Sequence, residues 1–215
     1  MSNEEDDLPQ LSASTFAALQ EFYKEQEERE ALQSNIQEIV QNGNVVFDED
    51  WQLSQFWYDE STIEGLVQMV INSVGTRAKI ALVSCPTLYK LMKDKTDSSA
   101  EVTLYEFDQR FAAYGSDFVL YDYKAPLNIP RDKGSYYDIV IADPPFLSEE
   151  CLTKTAVTVK FLTKGKIILC TGAVMADLAQ RLLDLKKTEF QPKHKNNLAN
   201  EFWCFTNFPL DKPVS

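Results

Sequence analysis

Five short apolar runs, most of them followed by a stretch of helical character, restrict this chain to few architectures. The runs are "KIALVS" (79–84), "EVTLYEFD" (101–108), "DFVLYDY" (117–123), "YDIVIAD" (137–143) and "KIILCTG" (166–172). Each has the length and apolar density of a strand. "PTLYKLMKD" follows the first run as a helix, with Pro86 suited to its first turn. "QRFAAYG" supplies a short helix after the second run, and "AVMADLAQRLLD" a longer one after the fifth. Strand and helix in alternation build a parallel sheet with helices on both faces, because each crossover must pass over a face. The last stretch, about 187–208, reads as two strands around the loop "PKHKNNLANE" with no helix between them. It should close as a hairpin, so one strand runs antiparallel at or near the sheet edge.

Two more helices are legible from caps and spacing. Asp59 stands where an N-cap belongs, and Ile63, Leu66, Val67, Val70, Ile71 and Val74 then recur at helical spacing, with Gly75 as the C-terminal stop. Ser148 caps a second helix with Glu149 and Glu150 in its first turn, where carboxylates suit the dipole. Leu152, Thr155, Val159 and Leu162 mark its buried side, and Gly165 is expected to end it. Ahead of all this, residues 1–45 read as an acidic, partly helical N-terminal arm, with Ser12 or Ser14 as a helix cap. A solvated helix is the simpler reading of that arm than a specific docking element. Residues 46–215 form the folded domain.

Composition narrows the function. The chain has 215 residues, 44% of them hydrophobic, enough for one sizeable core. Its 33 acidic residues against 21 basic ones give a net charge of −12, which repels nucleic acid phosphates unless a basic patch is concentrated locally. A basic protein partner or a small cationic ligand suits that field; plain solubility explains it equally well. Lys186, Lys187, Lys193 and Lys195 form a local basic set that could contact phosphate, against a solvated hairpin and helix end as the alternative. Cys85, Cys151, Cys170 and Cys204 form no C-x-x-C pair and His194 is the single histidine, so no metal site is expected. Reduced core thiols, no secretory leader and no run near the ~20 apolar residues of a membrane span point to a cytoplasmic protein without membrane contact. A monomer is expected.

In an open parallel sheet, ligands bind beyond the carboxyl ends of the strands. Those ends carry Ser84-Cys85-Pro86, then Glu106 and Asp108, then Asp122, then Asp143-Pro144-Pro145-Phe146. A single strand-end aspartate is usually a turn former. Four polar ends in succession outline a pocket. The last is the most telling. Two prolines fix φ and delete two N–H donors, so the corner offers only carbonyl oxygens and the Asp143 carboxylate, with Phe146 as an aromatic wall. Such a corner suits a group that donates through NH or NH₂, with the ring covering its flat or cationic face. A stiff turn with Phe146 in the core is the alternative.

"DPPF" at this place resembles the Asp/Asn-Pro-Pro-aromatic motif of amino-methylating methyltransferases that use S-adenosylmethionine. "DWQLSQFWY", Phe107–Phe111, Ile141–Leu152, Leu169–Ala173 and Asn197–Phe202 together are similar to the eukaryotic lysine methyltransferases acting on translation elongation factor 1-alpha, a family formerly labelled as N6-adenine DNA methyltransferases. The resemblance spans about residues 50–208. It implies a class I, Rossmann-like sheet of seven strands, S-adenosylmethionine as cofactor and elongation factor 1-alpha as protein substrate. It also implies that Asp143, Pro144, Pro145 and Phe146 hold the target amine and that Ser84, Cys85 and Pro86 face the methionine part of the cofactor. Glu106 is favoured for the ribose hydroxyls with Asp108 second; positions i and i+2 share a side, so spacing does not separate them. Asp122 meets the adenine amine, and Gln55 to Tyr58, Trp57 among them, roof the pocket unless they merely pack. The glycine-rich turn common after strand one is absent: "SCPTLY" stands there. An adenine N6 methyltransferase on RNA or DNA, and a binding module without catalysis, are the rival readings.

Overall fold

A computed structural model of the chain describes residues 55–196 and 200–210. The expected arm, residues 1–45, lies outside the described residues. Seven strands form one sheet: β1 (Lys79–Val83), β2 (Glu101–Glu106), β3 (Phe118–Leu120), β4 (Tyr137–Ala142), β5 (Thr163–Gly172), β6 (Lys186–Lys187) and β7 (Phe202–Thr206). Their order is β3-β2-β1-β4-β5-β7-β6. The first five are mutually parallel, and β7 runs antiparallel to both β5 and β6. The reversed strand therefore sits one place in from the edge.

Alternation along β1 divides the core. Ile80 and Leu82 join one apolar cluster with Leu104, Ile139 and Ile141. Helices α1 (Glu60–Val74) and α2 (Tyr89–Lys95) cover that face with Leu66, Val67, Val70 and Met92. Ala81 and Val83 join the opposite cluster with Val140, Ala142 and Leu169, under Leu152 and Val159 of α3 (Glu149–Leu162) and Ala179 of α4 (Ala176–Leu183). A fully buried leucine or valine of this kind contributes roughly 1.5–3 kcal/mol. Both faces are covered, which is why the strands read as apolar runs rather than as alternating ones. All four cysteines are free and buried. No helix among the described residues is long and apolar enough to cross a membrane.

Asp59 caps α1 as expected, accepting from the Thr62 N–H at 2.8 Å, and Gly75 ends the helix with φ 79°. Ser148 caps α3 by accepting from the Cys151 N–H at 3.2 Å. Elsewhere the boundaries moved. The helix expected at Pro86 opens as a 3₁₀ turn, Pro86–Leu88, before the seven residues of α2. "QRFAAYG" is 3₁₀ rather than α, kinked at Gly115. Gly165 does not end α3: the helix stops at Leu162, and Gly165 lies within β5, which begins at Thr163. Strand β2 ends at Glu106 rather than Asp108, because the Glu106 carboxylate accepts from the N–H groups of Phe107 and Asp108 and turns the chain.

Replacing Asp59 by Ala removes the cap from the N–H of Thr62. The expected loss is about 1 kcal/mol of unfolding free energy, read by urea titration.

Candidate active site

A cavity of about 500 Å³ opens over the carboxyl ends of the parallel strands, within the size range of small-molecule sites. Ser84, Cys85 and Pro86 line it beyond β1, Glu106 beyond β2, and Asp122 beyond β3. Asp143, Pro144, Pro145 and Phe146 line it beyond β4. Trp57 lines it from above with Gln55, Phe56 and Tyr58.

The turn after β1 answers the missing glycine. Ser84 itself takes φ 56°, the left-handed conformation for which glycine is the usual residue. Its N–H is fixed to the Tyr105 carbonyl at 2.8 Å, which continues the β1–β2 ladder and holds the turn. Backbone kept in this region costs of order 1 kcal/mol and clusters at functional sites. The cavity is thus open at a turn that lacks the usual residue.

Spacing alone left Glu106 and Asp108 undivided; the structure separates them. Glu106 lines the cavity, anchored through Oε1 to the N–H groups of Phe107 (2.9 Å) and Asp108 (3.1 Å). Asp108 is not among the lining residues and is corrected to a structural role. It caps the 3₁₀ segment through the Arg110 N–H at 2.9 Å, pairs with the Arg110 guanidinium at 2.6 Å and accepts from Gln55 at 3.0 Å. The two side chains do not share a side because the strand ends at Glu106 and the chain turns between them.

Asp143 is held from two sides. Its N–H donates to the Val83 carbonyl at 3.0 Å, and its Oδ2 accepts from the Tyr58 hydroxyl. Burial pushes its carboxyl up to about 7, the Glu106 charge pushes in the same direction, and the Tyr58 bond opposes both. Burial likewise lifts Glu106 to about 7, against its two backbone hydrogen bonds. The cavity therefore holds two carboxyls near neutrality, and among the described residues neither forms an ion pair. Phe146 is 43% exposed, with its ring 5.7 Å from that of Tyr123, so it is a wall and not core.

Several cavity residues escaped the sequence reading. Phe107, 54% exposed, stands beside Glu106 as a flat surface. His194, Asn200 and Phe202 close the other side. They arrive because residues 193–195 pair back onto 57–59: the Asp59 N–H bonds to the Lys193 carbonyl at 3.0 Å, and the Lys195 N–H to the Trp57 carbonyl at 2.8 Å. The His194 ring lies 5.0 Å from Tyr58 and 4.7 Å from Phe202. Only the exposed aromatic between two acids, Phe107, carried a local signal; the rest depends on a pairing more than 130 residues apart in sequence.

Comparison with known proteins defines the class and then the family. The fold resembles that of the branched-chain polyamine synthase from Thermus thermophilus, solved with N4-aminopropylspermidine and 5'-methylthioadenosine, at a TM-score of 0.56 and 12% identity over 74% of this chain and 59% of that one. Residues 49–210 match the family described as "Probable N6-adenine methyltransferase". Fold, cavity and family match make the protein a Rossmann-like, S-adenosylmethionine-dependent methyltransferase. EEF1A lysine methyltransferase 1 of Gallus gallus is 48% identical over 209 residues, covering 97% of this chain and 98% of that protein. Its Homo sapiens counterpart is 47% identical over 206 residues, covering 95% and 94%. The chain belongs to this family of protein-lysine N-methyltransferases.

Two outcomes follow from the geometry. Ser84→Gly should leave stability within about 1 kcal/mol of the parent, since relief of the strained φ offsets the added freedom of the unfolded chain, whereas a β-branched Ser84→Val should lose about 2 kcal/mol in chemical denaturation. The second concerns pH. A carboxyl raised from 3.8 to about 7 on folding binds its proton more tightly in the folded chain, so it lowers stability as pH rises through that window. Asp143→Asn should therefore be more stable than the parent at pH 8, and the gap should close as pH falls towards 4, measured by urea unfolding across pH.

Proposed function

We propose that this enzyme transfers a methyl group from S-adenosylmethionine to the ε-amine of a lysine in translation elongation factor 1-alpha, in the cytoplasm and as a monomer. The observation that carries the reading is the near-full-length identity to proteins named EEF1A lysine methyltransferase 1. The donor set fits the cofactor. Glu106 is anchored by backbone N–H groups and can accept from a ribose diol, Asp122 can accept from an adenine amine, and Phe107 offers a flat apolar surface in the same cavity. Ser84 to Pro86 face the remaining length. When bound, S-adenosylmethionine supplies a methyl group on a cationic sulfur.

The chain's own residues do the positioning. Asp143 Oδ1 and the carbonyls of the proline pair accept from the target amine, and Phe146 bounds the slot. Positioning of this kind supplies most of the catalysis in a direct displacement. A lysine near its usual pKa of 10.4 loses its proton at pH 7 at a cost of about 4–5 kcal/mol. An aromatic, water-poor slot next to a cation lowers that cost, while an ionised Asp143 raises it. Asp143 therefore orients the amine, and the proton leaves to solvent.

The family description names adenine, but the relatives matched over almost their whole length are named for protein lysine. Three of the four lysines that phosphate contact would need have other neighbours. Lys187 Nζ lies 3.4 Å over the Trp203 ring and Lys195 Nζ 5.3 Å from that of Trp57, while Lys193 faces Asp59.

Tritiated methyl transfer to purified elongation factor 1-alpha, with total RNA and DNA as parallel acceptors, tests the reading. Label is expected in the protein alone; label in nucleic acid would overturn it. Asp143→Ala should lower transfer at least about a hundredfold, with S-adenosylmethionine binding in calorimetry largely retained.

A further inference from the structure

Tyr58 is a buried residue outside the strand-end edge, yet its hydroxyl reaches the centre of the site. It is 1% exposed and donates to Asp143 Oδ2 at 2.5 Å. Three features fix the phenol in place. Its backbone forms an antiparallel bridge with His194, its ring packs on the His194 ring, and Asp59 next to it caps α1. At the other end of the same four-residue stretch, Gln55 donates to Asp108 at 3.0 Å, beside Glu106. Residues 55–58 thus form a strap across the cavity, tied to the cofactor side at Gln55 and to the amine side at Tyr58.

We infer that Tyr58 is a positioning residue for methyl transfer: by occupying Asp143 Oδ2 from a fixed roof, it turns Oδ1 toward the incoming amine. The inference rests on the proposed lysine reading for its kinetic arm only. A carboxylate rotates freely about its terminal torsion unless a second partner holds it. Here Oδ2 has that partner, so one oxygen with one set of lone pairs is presented. The hydroxyl can serve only as donor toward a carboxylate, and burial together with the Asp143 charge keeps it protonated.

The bond also favours the ionised form of Asp143. The groups that face Asp143 are Tyr58 from the strap, Cys85 after β1, Glu106 at the end of β2, Cys151 of α3 and Cys170 of β5. The His194 ring lies tilted against that of Tyr58, with centroids 5.0 Å apart. The three thiols are held neutral by raised pKa values, which leaves Glu106 as the neighbour whose ionisation acts against that of Asp143. Tyr58 is the hydroxyl donor that opposes it.

The test is Tyr58→Phe, which keeps the ring and removes one oxygen, compared with Tyr137→Phe. Tyr137 is likewise buried, and its hydroxyl pairs with that of Tyr105 at 2.9 Å rather than with Asp143. In the ligand-free proteins, ¹³C NMR of the Asp143 carboxyl reads its titration directly. The midpoint is expected to move to higher pH in Tyr58→Phe and to stay in Tyr137→Phe. With cofactor and elongation factor 1-alpha, Tyr58→Phe should lower kcat about 10-fold to 100-fold, the range for a hydrogen bond to a charged group. KM for the cofactor should change little, and the acid limb of the kcat/KM profile, which reports the free enzyme, should shift upward with the carboxyl. Should Tyr58→Phe not fold, 3-fluorotyrosine at position 58 strengthens the donor and should move the midpoint down. An unmoved carboxyl titration, or an equal shift in Tyr137→Phe, overturns the inference even if wild-type protein methylates its substrate. Absence of transfer by the wild type, with the titration shift intact, overturns the lysine reading instead.

Discussion

The parallel pairing of β1 with β4 is the constraint from which the site follows. Its last ladder pair is Val83 with Ala142, and the Asp143 N–H extends it by one more bond to the Val83 carbonyl. On the other side of β1, the Ser84 N–H does the same toward Tyr105 of β2. Beyond these bonds the neighbouring chains part. Ser84 turns away through a left-handed φ, Glu106 folds its own chain back, and two prolines stop β4 from continuing. The cavity is the space left by that divergence. A one-residue slip of β4 against β1 would send every side chain to the opposite face, so the two buried clusters that fix the register also fix where Asp143 points.

Two acids two residues apart show how context divides identical chemistry. Asp108 is buried but has a guanidinium, a backbone N–H and an amide to satisfy it, and it does structural work. Glu106 and Asp143 are held near neutrality by burial and find no such cation in the described chain. Unpaired buried carboxyls cost stability and persist where a ligand completes them.

Much of this was legible in the sequence. Apolar runs gave the strands, and the absence of a helix between the last two predicted the reversed β7. The strand-end rule collected Ser84 to Pro86, Glu106, Asp122 and Asp143 to Phe146 at one cavity, as the structure places them. Asp108 was misplaced because period-2 reasoning holds only while the strand lasts, and β2 stops at Glu106. Gly165 was misread because glycine after an apolar helix usually means a stop, whereas here the chain passes directly from α3 into β5. The roof was half seen. Gln55 to Tyr58 stood out as an aromatic cluster, but their tie to His194 and Phe202 is a long-range contact that no local pattern encodes.

The margins of the sheet have a consequence of their own. One border strand, β3, has three residues and the other, β6, has two, both lysines and both exposed. Unpaired backbone at a sheet border is a template for a stranger's strand, and such templates work through length and flatness. Here each border offers too few free groups, and one of them repels its own kind by charge. A fold with five parallel strands, slow to assemble and sticky while incomplete, thus ends on both sides in segments that give aggregation little to extend.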